Sequence, residues 1–148
     1  MELKTYTVTI PIKSPSLNEF LNETSSSYHQ RNGTKHKVQN KAAKYLSQLP
    51  EIKKPVKIWF LWQEANKRRD PDNVGFGQKF ILDEMVKLKR IPNDNWRWIK
   101  GLYHDFDYGD SYKITLTIQE VDDDSKGSAH SRDAKTPRGN RKDRIAEA

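Results

Sequence analysis

Two segments of the chain have the apolar patterning of β-strands. In residues 5–12, tyrosine and aliphatic side chains alternate with threonines, which is the period of two expected of a half-buried strand. Residues 56–62 are almost continuously apolar and rich in β-branched and aromatic side chains. This composition is typical of a strand covered on both faces, so we expect residues 56–62 to be central in a sheet.

Two other segments have helical spacing. Residues 40–49 place alanine and leucine at helical intervals, and Pro50 limits that helix. Residues 74–90 have an apolar stripe with a period of about 3.6 residues, basic side chains near the end, and Pro92 beyond it.

The last elements are two strands, at residues 96–106 and 112–121, joined by a predicted hairpin turn at 107–110. A polar loop at 14–22, a basic loop at 25–37 and an acidic turn at 66–73 separate the earlier elements. The order is β, basic loop, α, β, acidic turn, α, β, β. It predicts a mixed α/β (α+β) fold, with helices packed on one mixed sheet.

Composition bounds the domain and the class of protein. The chain has 148 residues, which suits a single domain. Residues 122–148 combine charged side chains with glycine, proline and serine, so we expect a domain at 1–121 and a disordered tail at 122–148. There is no cysteine, which excludes disulfides and thiolate zinc sites. With no signal peptide and no long apolar run, we expect a cytoplasmic protein without membrane contact.

The net charge is +7, and a basic chain of this kind favours polyanions such as nucleic acid. The basic loop contains an Asn32-Gly33 turn signal. We expect Arg31, Lys35 and Lys37 to contact the phosphate backbone.

The densest candidate chemistry follows the central strand, in Asp70-Pro71-Asp72. Pro71 favours an extended conformation at Asp70, in which positions 70 and 72 point the same way. Two such carboxylates repel each other unless they are neutralised, and Mg²⁺ prefers carboxylate oxygen. Helix capping is the competing interpretation of aspartates at this place. Arg68 and Arg69 are candidates for binding phosphate or for holding the aspartates.

Two later residues are candidates for the same site. Asp94 precedes the next strand and is expected to return to this end of the sheet. Lys79 lies about two turns into the following helix and is expected to supply a positive charge. Three carboxylates, a lysine and a metal ion suit phosphodiester hydrolysis, because the metal activates water and stabilises the charge on phosphate.

The ordered set Arg68-Arg69-Asp70-Pro71-Asp72-Asn73, Lys79 and Asn93-Asp94 resembles the RusA family of Holliday-junction resolvases, over roughly residues 4–121. The resemblance implies that Asp70, Asp72 and Asp94 bind the metal and that Lys79 is catalytic. It further implies a homodimeric, Mg²⁺- or Mn²⁺-dependent endonuclease, which nicks two strands of a four-way DNA junction symmetrically and needs no small-molecule cofactor. Two departures are Asn93, where the family usually has a second aspartate, and about three extra residues between Asp72 and Lys79.

Two further acidic features and two competing functions complete the interpretation of the sequence. A second acidic cluster at 104–110 is interpreted as a hairpin tip. Asp83 is interpreted as a surface partner of Lys79 or Lys87. For the whole chain, the competing functions are a non-catalytic DNA- or RNA-binding protein and a structural module whose acidic turn only caps a helix.

Overall fold

The computed structural model describes residues 2–15, 17 and 28–122, except for the side chains of residues 28–36. Most of the predicted loop at 14–22 and nearly all of the predicted tail lie outside the described residues. The mixed α+β class is confirmed. The elements in chain order are β1 (Thr5–Ile10), α1 (Tyr28–Leu46), β2 (Val56–Glu64), α2 (Pro71–Gly75), α3 (Gln78–Lys87), β3 (Ile99–Tyr108) and β4 (Lys113–Glu120).

The four strands form one mixed sheet in the order β1-β4-β2-β3. Strand β2 is internal, as its apolar sequence predicts, and pairs antiparallel with β4 and parallel with β3. Side chains at even positions of β2 are buried, whereas those at odd positions are exposed or partly exposed. The core therefore lies on one face of the sheet, where α1 packs against β1 and α3.

The predicted hairpin between the last two strands is wrong, because β2 lies between β3 and β4. The short connection at 109–112 passes over the end of β2 instead. Gly109 donates its N–H to the carbonyl of Glu64 at 2.8 Å, and the side-chain amide of Gln63 donates to the carbonyl of Ser111 at 3.1 Å. The turn signal was correct, but the strands that it joins are not neighbours.

The predicted basic loop at 25–37 is also wrong for its described part, since α1 begins at Tyr28 and runs through Asn32 and Gly33. Local turn preference is a weak constraint that tertiary packing overrides. The second half of α1 supplies that packing, because Ala42 and Leu46 are fully buried in the core.

The single helix predicted at 74–90 is two helices, α2 and α3, with Phe76-Gly77 between them. The backbone at Gly77 approaches its neighbours closely. A Cβ there would overlap the Ser14 side chain and lie 3.3 Å from the Trp62 ring. In the described part of the chain, no helix has the length and apolar character needed to cross a bilayer.

Candidate functional site

Asp70 stands at the N-cap position of α2, a few residues after β2 ends. Its backbone is extended, with φ −73° and ψ 149°, as Pro71 favours. The carbonyl of Asp70 accepts the N–H groups of Asn73 and Val74 at 3.0 and 3.1 Å, but its carboxylate makes no capping hydrogen bond. The exposed carboxylate of Asp70 therefore takes no part in capping α2.

Asp72 lies in the first turn of α2 and is exposed. Its Oδ1 accepts the N–H of the next residue, Asn73, at 2.9 Å. This local contact leaves the second carboxylate oxygen of Asp72 for other interactions. Both aspartates of the predicted pair are thus accessible at the same turn.

A small cavity of about 250 Å³ opens beside Asp70, at the end of the sheet where β2 and β3 finish. Asp107, near the end of β3, lines the same cavity. Phe106 and Tyr108, both exposed, contribute aromatic surface to it. The residue pattern around Asp107 predicts a hairpin tip, because it does not reveal the parallel pairing of β3 with β2.

An ion pair between Glu64 and Arg69 forms part of the cavity wall. Arg69 donates Nε and Nη2 to the two carboxylate oxygens of Glu64 at 2.7 and 2.8 Å, and Nη1 to the carbonyl of Ser14 at 2.6 Å. Both side chains are mostly buried. The prediction of Arg69 as a phosphate contact therefore needs correction, because its guanidinium ties the acidic turn to β2 and to the segment after β1.

Arg68 and Lys67 provide exposed positive charge beside the cavity. The Lys67 ammonium lies 4.3 Å from the centre of the Tyr108 ring, a cation–π distance. Arg68 is among the phosphate contacts predicted from the sequence, whereas Lys67 is not. Of the predicted contacts on the basic segment, Lys37 is exposed on α1, while the side chains of Arg31 and Lys35 lie outside the described residues.

Lys79 lies in the first turn of α3, with its side chain 69% exposed. It pairs with Asp83 at 3.7 Å, as predicted for that carboxylate. Lys79 does not line the cavity beside Asp70.

Asp94 lies at the opposite end of the sheet from Asp70. It precedes β3, whose first residue Ile99 pairs with Val56 at the start of β2, whereas Asp70 follows the end of β2. The nine residues of β2 span about 26 Å at roughly 3.3 Å per residue. Within one chain, the structure therefore does not bring Asp94 to Asp70 and Asp72, contrary to expectation.

A divalent cation at this site would need oxygen donors from acidic side chains. Among the described residues, no group of three or more histidine or acidic side chains is arranged to hold a metal ion. Mg²⁺ is nevertheless commonly held by one or two carboxylates together with water and substrate phosphate. Asp70 supplies one such carboxylate at the cavity, whereas Asp72, in the first turn of α2, does not line it, and the three-aspartate set is not assembled in one chain.

His104 forms a polar link between the sheet and α3 that sequence analysis did not identify. The indole N–H of Trp62 donates to its Nδ1 at 2.9 Å, and its Nε2 contacts Oε1 of Gln78 at 2.8 Å. The rings of Phe60 and Phe106 are nearly parallel to the imidazole, with centroids 5.0 and 6.3 Å from it. Burial lowers the pKa of His104, because the charged form loses solvation. His104 thus supports the end of the sheet where Asp70 lies.

Comparisons with known proteins do not add a family to this picture. No family model matches the chain, and no curated protein matches it. The likeness to the RusA resolvases therefore rests on the motif residues alone.

Proposed function

We propose that this protein is a Mg²⁺-dependent endodeoxyribonuclease acting on four-way DNA junctions. The observation that carries the proposal is the uncapped, exposed carboxylate of Asp70, which stands beside Asp72 and shares a cavity with Asp107. A carboxylate at a helix N-cap normally accepts a backbone N–H of that helix. Because Asp70 does not, its position is better explained by binding to something outside the chain.

The surroundings of Asp70 suit a phosphate-bearing substrate. Arg68 and Lys67 are exposed next to it, and the chain carries a net charge of +7. Positive side chains at the rim of an acidic site draw the phosphate backbone toward it. Duplex DNA is too large to enter a cavity of about 250 Å³, so the cavity would take a cation and one phosphate group.

Asp70 and Asp72 would hold the metal ion. When bound, Mg²⁺ supplies activated water and stabilises negative charge on the scissile phosphate. Lys67 and Arg68 would position the DNA strand, and Lys79 would contribute charge from the first turn of α3. Asp94 can join this set only from a second copy of the chain, because the length of the sheet separates it from Asp70 within one copy.

The test is cleavage of a labelled four-way junction and of matched duplex DNA, each with and without Mg²⁺. Asp70→Asn is expected to lower junction cleavage about 100-fold or more, because metal assistance is worth several kcal/mol, while binding to the junction persists. Asp110→Asn removes an exposed carboxylate from the turn at 109–112 and is the matched control. It is expected to cleave as the unaltered chain does.

Two outcomes would replace the proposal with one of its alternatives. Salt-sensitive binding without any Mg²⁺-dependent product would indicate a non-catalytic nucleic-acid-binding protein. No affinity for junction, duplex or single strand at moderate salt would indicate a structural module.

A further inference from the structure

Trp96 lies in the turn before β3 and is almost entirely in solvent. Its side chain is 93% exposed, whereas Tyr108, the next most exposed large apolar side chain in the described part of the chain, is 55% exposed. Tryptophan is highly buried on average, and its ring is among the commonest anchors of binding surfaces. An indole left open in this way favours a contact with a partner.

The backbone that carries Trp96 is held in place by hydrogen bonds within the turn. The carbonyl of Asn95 accepts the N–H of Trp98 at 3.1 Å, and its side-chain Oδ1 accepts the N–H of Arg97 at 3.1 Å. The carbonyl of Trp96 accepts the ammonium of Lys100 at 3.2 Å. Binding to a turn that is already ordered loses less conformational entropy than binding to a mobile one.

A cavity of about 360 Å³ opens beside Trp96, at the start of β3. Ile99 and Leu102 line it with apolar surface, and Asn95 and Lys100 line it with polar groups. Ligand sites typically have volumes of roughly 300–1,000 Å³, a mainly apolar lining and a few polar groups that fix orientation. Together with the open indole, the cavity therefore suits a flat ring that carries hydrogen-bonding groups at its edge.

Basic side chains outnumber acidic ones at and next to this cavity. Lys100 lines it, Arg97 is exposed in the same turn, and Lys57 pairs with Gly101 on the neighbouring strand. Asp94 is the acidic residue of the lining. Single-stranded nucleic acids are bound in this manner, by aromatic rings on which bases stack and by positive charge that follows the phosphates.

We propose that Trp96 and the cavity beside it bind an unpaired nucleobase of a DNA strand. The base stacks on the indole and enters the cavity, where the side-chain amide of Asn95 donates to an acceptor on its edge. The adjoining phosphates meet Arg97 and Lys100. Every base has a π-face, so the contact tolerates different sequences. A base inside a duplex has both faces covered by its neighbours, so the contact distinguishes unpaired from paired DNA.

This contact goes beyond the proposed nuclease function, because it needs neither Mg²⁺ nor cleavage. Trp96 precedes β3 and Asp70 follows β2, so the length of the sheet separates them within one chain. Replacing a side chain that is so fully exposed leaves the buried core unaltered. Variants at position 96 are therefore expected to fold, which circular dichroism checks.

The test is DNA binding in the absence of Mg²⁺, with a labelled single strand and the duplex of the same sequence as probes. Trp96→Leu keeps an apolar side chain but removes the stacking ring. It is expected to weaken binding of the single strand about 10-fold, within the range known for base–aromatic stacking, and to leave duplex binding unchanged. Leu61→Ala removes exposed apolar surface elsewhere on the sheet and is the matched control, expected to bind both probes as the unaltered chain does.

Tryptophan emission provides a second measurement. A base stacked on the indole of Trp96 is expected to quench part of the emission of the unaltered chain, which has four tryptophans. Trp96→Phe keeps an aromatic ring and is expected to bind the single strand nearly as tightly. Its emission is expected to stay constant on binding, because the remaining tryptophans do not contact the base.

Unchanged binding of the single strand by Trp96→Leu would overturn the proposal. So would an equal loss for the duplex, or quenching that persists in Trp96→Phe. A free mononucleotide that binds as tightly as the strand would show a small-molecule site instead of a strand contact. Junction cleavage without any effect of Trp96→Leu would defeat this inference alone, whereas quenching by the strand without any Mg²⁺-dependent product would defeat the nuclease function alone.

Discussion

The indole N–H of Trp62 donates to Nδ1 of His104, and this bond selects the tautomer of the neutral imidazole. Since Nδ1 accepts, Nε2 carries the proton of the neutral ring and donates to Oε1 of Gln78. A doubly protonated ring has no acceptor for the tryptophan. Protonation of His104 would therefore break the side-chain hydrogen bond that joins Trp62 of β2 to His104 of β3.

The first prediction concerns pH. The pKa of His104 is lowered by burial, so in acid the unfolded chain takes up a proton that the folded chain does not. The free energy of unfolding is then expected to fall as the pH drops below about 6.5, the ordinary value for histidine. Urea unfolding of the unaltered chain and of His104→Asn, between about pH 7.5 and pH 5.5, measures the difference in slope. Other titrating groups are common to both proteins and cancel, so equal slopes would contradict the prediction.

The second prediction compares two glycines, Gly75 at the end of α2 and Gly77 just before α3. Gly77→Ala would place a Cβ against Ser14 and Trp62, and is expected to destabilise the fold by about 1–3 kcal/mol through overpacking. At Gly75 a Cβ would meet the Phe106 ring at 3.5 Å, an ordinary contact, so Gly75→Ala is expected to be neutral or stabilising because alanine favours helix. Thermal unfolding of both variants is the measurement. Equal effects would mean that the close approach at Gly77 is not a constraint.

The third prediction separates two adjacent arginines. Arg69→Met leaves the mostly buried carboxylate of Glu64 without its bidentate partner, and is expected to lower the free energy of unfolding by about 3 kcal/mol. Arg68→Met, at an exposed position, is expected to change it by less than about 0.5 kcal/mol. For DNA affinity, Arg68→Met is expected to cause the larger loss. It removes a phosphate contact and so reduces the salt dependence of binding. Denaturant unfolding measures the change in stability, and DNA binding at several salt concentrations measures the change in affinity. Similar losses of stability in the two variants would argue against the structural role of Arg69.

Local features of the candidate site could be predicted from the sequence, whereas long-range ones could not. Pro71 favours the extended backbone at Asp70, and the apolar run of β2 places that turn at the end of a central strand. The partner of β3 is not encoded in neighbouring residues, so a short turn after it was interpreted as a hairpin. That error also concealed Asp107.

The position of Asp94 follows from the same pairing. Two parallel strands joined by helices begin at the same end of a sheet, because the crossover returns the chain to where the first strand started. A residue before β3 therefore lies at the opposite end from a residue after β2. The expectation that Asp94 returns to Asp70 implicitly required antiparallel strands, and the pattern of residues could not decide between the two.

The last prediction uses two inactive variants to locate the third carboxylate of the proposed nuclease. If Asp94 acts from a second copy, Asp70→Asn and Asp94→Asn are each expected to lose junction cleavage. A mixed dimer of the two would keep one intact site, because one chain supplies Asp70 and Asp72 while the other supplies Asp94. Mixing the two inactive proteins is therefore expected to restore Mg²⁺-dependent nicking of one strand per junction.

The pair Asp70→Asn and Asp72→Asn is the control for that mixture. These positions lie on the same turn of the same chain, so their mixture is expected to remain inactive however the copies associate. Cleavage by Asp94→Asn alone would instead favour Asp107, which already shares the cavity with Asp70. Asp107→Asn would then be expected to abolish the activity. Loss of cleavage in Asp94→Asn without restoration on mixing would contradict the shared site, provided that exchange of chains is shown with a tag that gives one of the two variants a different mass.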